Sequence, residues 1–209
     1  MKLFFRPLAC SLACRIAAIE GKLDLDFVEV ELFGTKLANS DQSFLEISDK
    51  GKVATLQLEN GVLLTENAAI LQYLADASLQ RNLAPAPDSE LRYRLQEALS
   101  FVGSELHKGI LYPLFQQDTP EQTKAHVRLK APRILDQLDG MLNDRDWILG
   151  ADFSVADCYL IWAIYLLKLS GFELSQNIKD YYKRAKARPS VQQAMEIELS
   201  LYQEQMKAA

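Results

Sequence analysis

Cysteine thiols and histidine imidazoles are the side chains most readily used as nucleophiles and proton carriers near neutral pH. This chain of 209 residues has few of them: Cys10, Cys14, Cys158, His107 and His126. The cysteines are an odd, sparse set, and no spacing among these residues matches a zinc pattern, so neither a disulfide scaffold nor a metal centre is expected. What remains is a thiol able to attack an electrophile or to exchange with a disulfide. Of the three, Cys10 has the address for it.

That address follows from the elements around it. Leu3, Phe4 and Phe5 form a short β-prone run that turns at Arg6-Pro7-Leu8, and Leu12, Cys14, Arg15, Ile16, Ala17, Ala18 and Ile19 continue at helical spacing until Gly21. Cys10 is therefore expected at or near a helix N-terminus. There, unpaired N–H groups and the positive end of the helix dipole favour a thiolate over a thiol. The alternative reading is a small apolar filler between strand and helix.

Hydrophobic residues make up 49% of the chain, enough to bury a full core in one large or two small domains. A net charge of −5 without a dense basic run gives no footprint for nucleic acid or for an anionic membrane. No stretch offers the roughly 18 apolar residues of a membrane span, and the start lacks the pattern of a signal peptide, so a cytoplasmic protein is expected.

After the first helix, Asp26 to Leu32 alternates apolar and polar as a half-buried strand does, closing a parallel β-α-β unit. Phe33 to Lys52 is polar and punctuated by Gly34 and Gly51, with Phe44, Leu45 and Ile47 able to pin a short helix. Val53 to Leu58 and Val62 to Leu64 read as a hairpin in which Asn60-Gly61 supplies a tight turn with two positive-φ residues. Thr65 is the expected N-cap of a helix through Ala68, Ile70, Leu71, Tyr73 and Leu74. Asn82, Pro85 and Pro87 then break the pattern. The expected division is 1–77, a linker at 78–87, and an all-helical 88–209.

In the second half, Leu91, Leu95, Leu99, Val102, Leu106 and Ile110 mark one long helix ending near Pro113. Thr119-Pro120-Glu121-Gln122 reads as a helix start with Pro at its first position, and Pro132 as a kink further on. Ser154 and Asp157 read as a reciprocal cap on the apolar run from Tyr159 to Leu169, the expected centre of a bundle. Two helices near 176–187 and 189–202 complete the chain.

Taken in order, MKLFFRPLACSLA, the block from Thr65 to Asp76, SELHKG at 104–109, FSVADCYL at 153–160 and Arg188-Pro189-Ser190-Val191 resemble the glutathione transferase superfamily, and its bacterial beta class in particular. The resemblance implies an α/β thioredoxin-like N-terminal domain with a mixed four-stranded sheet, followed by an all-α C-terminal helical bundle. It implies glutathione as co-substrate, no metal, and a homodimer.

By the same resemblance, Cys10 is the residue at the glutathione sulfur, since Phe5 lacks the hydroxyl of the tyrosine often found at that strand end. Glu66 and Asn67 grip the γ-glutamyl end, the backbone at Val53 faces the cysteinyl part, and Lys36 reaches the glycyl carboxylate. His107 and Lys108 match a pair facing the thiol, His107 as hydrogen-bond donor or proton acceptor and Lys108 as positive potential. Leu8, Leu111, Tyr112, Phe115 and Tyr165 are expected to line the pocket of the second substrate.

Some positions depart from the family. Ala54 stands in place of a proline whose cis bond turns the backbone toward the ligand, Leu8 replaces a common glycine, and Cys14 a common proline. Cys10 and Cys14 lie one helical turn apart, but Cys-x-x-x-Cys is not the dithiol motif of oxidoreductases. The expected function is transfer of the glutathione sulfur to hydrophobic electrophiles, or its exchange with mixed disulfides. The alternative that Ala54 raises is a catalytically weak or inactive binding or regulatory protein on the same fold.

Overall fold

In a computed structural model, which describes residues 1–79 and 82–208, the opening apolar run forms strand β1 (Lys2–Phe5) at the middle of a mixed sheet. Parallel β2 (Asp26–Glu29) pairs with one edge of β1 and antiparallel β3 (Thr55–Gln57) with the other, and β4 (Leu63–Thr65) pairs antiparallel with β3, giving the order β2-β1-β3-β4. Alternation along β1 sends Phe4 to one face, where it packs with Val30, Leu37 and Phe44. Phe5 points the other way, edge-on to Phe27, and the Arg15 guanidinium lies over both rings at 4.4 and 3.8 Å. Arg15 belongs to α1 (Leu12–Glu20), which covers that face together with α2 (Asn67–Ala77).

The chain forms two compact units, Met1–Leu83 joined by Arg188–Ala209, and Ala84–Ala187. The expected 78–87 linker includes Gln80 and Arg81, which lie outside the described residues, as does Ala209. The last helix, α8 (Pro189–Ala208), packs on α1 and so belongs to the first unit.

Several local expectations are corrected. β2 stops at Glu29, because the chain turns at 31–36: the Glu31 N–H donates to Lys36 O, and the Leu32 N–H to the side chain of Gln205. The short helix on Phe44 is a single 3-10 turn, Phe44–Glu46. In the hairpin only Gly61 has positive φ (84°); the Gly61 N–H returns to Leu58 O and the Leu58 N–H to Val62 O, a three-residue loop in place of a two-residue turn. Thr65 is held in the sheet opposite Thr55, so the N-cap of α2 passes to Glu66, at φ 72°.

In the second unit, α3 (Glu90–Phe101) runs into a π-helical segment, Val102–Leu111, and then α4 (Tyr112–Phe115), where one regular helix was expected. Gly109 shows why the wider turn is possible: a Cβ there would lie 3.1 Å from the carbonyl oxygen of Ser104, five residues back. α5 (Glu121–Leu142) begins one residue after Pro120, whose carbonyl accepts from Thr123 and Lys124, and it runs on through Pro132. α6 (Val155–Leu169) is buried along most of its length, and α7 (Gln176–Lys186) packs on it. The Ser154–Asp157 cap forms as expected; Asp157 also accepts from the Ile148 N–H and the Tyr181 hydroxyl. Burial pushes its carboxyl up, and those bonds pull it back.

Candidate functional site

Cys10 lies just ahead of α1, in a turn in which the Ala9 N–H donates to Arg6 O, and the Leu12, Ala13 and Cys14 N–H groups to Ala9, Cys10 and Ser11 carbonyls. These bonds take up N–H groups that the sequence reading left for the thiolate, so the helix end acts on Cys10 through its dipole more than through those donors. The residue is 8% exposed, and its Sγ donates to Val53 O at 3.4 Å. Val53-Ala54 is a cis peptide bond, with alanine and not proline at its second residue.

Other residues fix this turn. Leu8 has φ 60°, and its N–H donates to Glu198 Oε2 of α8 at 2.8 Å. Glu198 Oε1 accepts from Arg15 Nε at 2.9 Å, and both side chains are buried. Burial lifts the Glu198 carboxyl to about 7 against the pull of Arg15 and the Leu8 N–H. Burial also lowers the Arg6 guanidinium, while Cys10 and Glu31 work to raise it; its side chain donates to Gly34 O at 2.6 Å. Sequence reasoning missed Arg6, Arg15 and Glu198. A charged residue on a helical run reads as surface unless its partner is known, and Glu198 is more than 180 positions from the turn it holds.

At the start of α2, Glu66 presents an exposed carboxylate 3.5 Å from Lys50 Nζ. Its positive φ, on a non-glycine residue, marks a conformation that neighbouring structure must hold. The first helical bonds run from Ala69 and Ile70 N–H to Glu66 O, with the Asn67 and Ala68 N–H groups ahead of them. The Asn67 side chain turns away from that end: its Nδ2 donates to Cys10 O at 3.0 Å, and its Oδ1 accepts from Cys14 Sγ at 3.1 Å. Burial pushes the Cys14 thiol well up, which keeps it a donor. Lys36 is an exposed loop residue paired with Asp41 at 3.1 Å.

In the second unit, His107 Nδ1 lies 2.6 Å from the Tyr159 hydroxyl, and its ring sits edge-on to Trp162, centroids 4.6 Å apart. Burial, with a smaller push from Lys108, lowers its imidazole to about 4. Lys108 Nζ stands 4.3 Å from the Tyr112 ring centroid. Of the residues expected against a second substrate, Leu111 is only 1% exposed and serves the core of its unit, whereas Tyr112 and Phe115 are exposed, and Tyr165 and Leu8 half-buried. Among the described residues no group of three or more His, Cys, Asp or Glu is placed to hold a metal ion, and no helix is long and apolar enough to cross a membrane.

Residues 104–197 match the family model described as glutathione S-transferase, C-terminal domain. The chain is 42% identical over 202 residues to glutathione S-transferase GstA of Escherichia coli O157:H7, covering 95% of this chain and 98% of that protein. A sphingomonad glutathione S-transferase solved in complex with glutathione superposes with a TM-score of 0.89 at 40% identity, over 95% of this chain and 98% of that one. A bacterial beta-class glutathione S-transferase from Sphingomonas chungbukensis gives a TM-score of 0.88 at 40% identity, over the same shares.

Proposed function

This chain belongs to the glutathione S-transferase family, close to its bacterial beta class, and from that premise we propose that it transfers the sulfur of glutathione to hydrophobic electrophiles, with Cys10 at the sulfur. The observation that carries the reading is the placement of the Cys10 thiol on Val53 O, in the turn that Asn67 ties to the start of α2. A tripeptide thiol can lie across these parts. Its sulfur meets Cys10, its cysteinyl backbone meets Val53, its amino group pairs with Glu66, and its γ-glutamyl carboxylate takes the N–H groups of Asn67 and Ala68. Lys36, on the 30–47 loop, answers the glycyl carboxylate once it leaves Asp41.

In conjugation the bound glutathione thiolate forms a C–S bond to the electrophile, whose leaving group departs with the electron pair. Cys10 also supports a second reaction. Its thiolate attacks the glutathione sulfur of a mixed disulfide, the partner thiolate leaves and takes a proton, and a second glutathione thiolate then releases glutathione disulfide and restores Cys10. With its imidazole lowered to about 4, His107 is neutral at pH 7 and orients by hydrogen bonding through the Tyr159 pair. Lys108 supplies positive potential. Tyr112 and Phe115 are the exposed aromatic surface we assign to the electrophile, and we assign a homodimer from the family. The relatives named as transferases favour an enzyme over a non-catalytic binding protein.

Calorimetric titration of the full-length protein with glutathione is expected to give a Kd below about 1 mM, roughly −4 kcal/mol. Cys10→Ala is expected to abolish the glutathione mixed disulfide seen by intact mass and to lower conjugation. No binding heat at several-fold higher glutathione, or full activity in Cys10→Ala, would sink the reading.

A further inference from the structure

We propose that Asn67, oriented by the Cys14 thiol, is a positioning residue that ties the sulfur end of the glutathione site to its γ-glutamyl end. The proposal rests on the glutathione reading above and assigns roles that a ligand-gripping amide at position 67 would not have. Asn67 is the first residue of α2 and is 7% exposed. Its carboxamide leaves its own helix end and reaches the Cys10 turn, with Nδ2 3.0 Å from Cys10 O and Oδ1 3.1 Å from Cys14 Sγ.

The partners decide which way this amide faces. A carbonyl can only accept, so Cys10 O requires the NH2 group, and a buried protonated thiol has one S–H, which requires the amide oxygen. Cys14 therefore acts through Asn67, and Asn67 through the Cys10 backbone. Cys10 is then held from two sides, its carbonyl by Asn67 and its Sγ by Val53 O at 3.4 Å. The same amide fixes the start of α2, where Glu66 and the leading N–H groups lie. A ligand that spans both ends binds best when their separation is set in advance, because the ordering cost is met during folding and not on binding. Cys14, one helical turn from Cys10 and fully buried, is the donor that sets the register of this link and not a second redox thiol.

The test uses full-length Asn67→Ala, Cys14→Ala and Cys14→Ser. Each is assayed for KM and kcat with glutathione and for the rate of Cys10 alkylation by iodoacetamide without glutathione, read by peptide mass. Partial unfolding alone lowers apparent kcat by reducing the folded fraction and leaves KM in place, so the two effects separate. Asn67→Ala and Cys14→Ala are expected to raise KM for glutathione about tenfold, the scale of one lost hydrogen bond, with a smaller change in kcat. Cys14→Ser, which restores a donor, is expected to return KM to within about twofold of wild type. Alkylation of Cys10 should quicken in the two alanine variants and return toward the wild-type rate in the serine variant. Wild-type KM and alkylation rate in both alanine variants, or a serine variant no better than Cys14→Ala, would overturn the proposal. If the wild-type protein binds no glutathione, the reading above fails, and the alkylation series still decides whether Asn67 and Cys14 govern Cys10.

Discussion

His107 Nδ1 is engaged with the Tyr159 hydroxyl, and its ring is packed against Trp162. Burial lowers the imidazole from 6.5 to about 4. Folding therefore favours the neutral form. The stability this contributes is present in full above about pH 6.5 and is lost as the pH falls through about 4. Urea unfolding of wild type and His107→Gln is expected to show wild type losing stability on acidification between those values more steeply than the variant; parallel curves would refute it. The place of two site residues was legible in the sequence: Cys10 lies just ahead of α1 and Glu66 at the start of α2, as the helical spacing after each led one to expect. Asn67 was named, but its partners were not, because a side chain's direction depends on which buried groups need a donor or an acceptor. Cys10 O and Cys14 Sγ both lie more than 50 positions away from it.

The elements were legible where one periodicity ruled a segment, as in α1 and α6, whose apolar residues run at helical spacing into caps or glycine. They were not legible where a tertiary contact or a backbone choice overrode the pattern. The π segment keeps its apolar stripe at Val102, Leu106 and Ile110, so spacing alone does not reveal the wider turn. α8 hides its role for another reason. Its buried positions Ser190, Val191, Ala194 and Glu198 include a carboxylate, which a hydrophobic pattern discounts. That carboxylate, raised from 4.5 to about 7 by burial, faces Arg15 and the Leu8 N–H, with Glu29 adding repulsion. The folded state keeps its proton longer than the unfolded chain, so its contribution is complete below about pH 4.5 and is lost as the pH rises through about 7. Glu198→Gln is expected to flatten the fall in unfolding free energy over that window. Glu198→Ala, which leaves the buried Arg15 without its carboxylate, should cost about 3–5 kcal/mol. An unchanged pH slope in the glutamine variant would count against this assignment.

At the scale of the molecule, the chain leaves its first unit after Leu83, builds a second, and returns to the first at Arg188. Nothing in the sequence at that return marks a change of unit. Its consequence is mechanical: residues 1–187 hold Cys10, Cys14, Lys36, Val53, Glu66, Asn67 and Ala68, the first-unit residues proposed to contact or position glutathione, but they lack the helix that fastens the Cys10 turn. Ending the chain at Ala187 removes the acceptor for the Leu8 N–H, the carboxylate facing Arg15, and the Arg188 and Ser190 partners of Glu20. Breaking one buried pair costs about 3–5 kcal/mol, a large part of the 5–15 kcal/mol that holds a domain folded, and here α1 also loses the helix packed on it. The second unit has its own core around α6 and loses none of these contacts. The truncated protein is expected to bind no glutathione by calorimetry. Hydrogen exchange should show α1 and the β-sheet unprotected, while α6 keeps the protection it has in the full chain. Glutathione affinity within about threefold of the full-length protein would mean that α8 is an accessory and that the Cys10 turn holds itself.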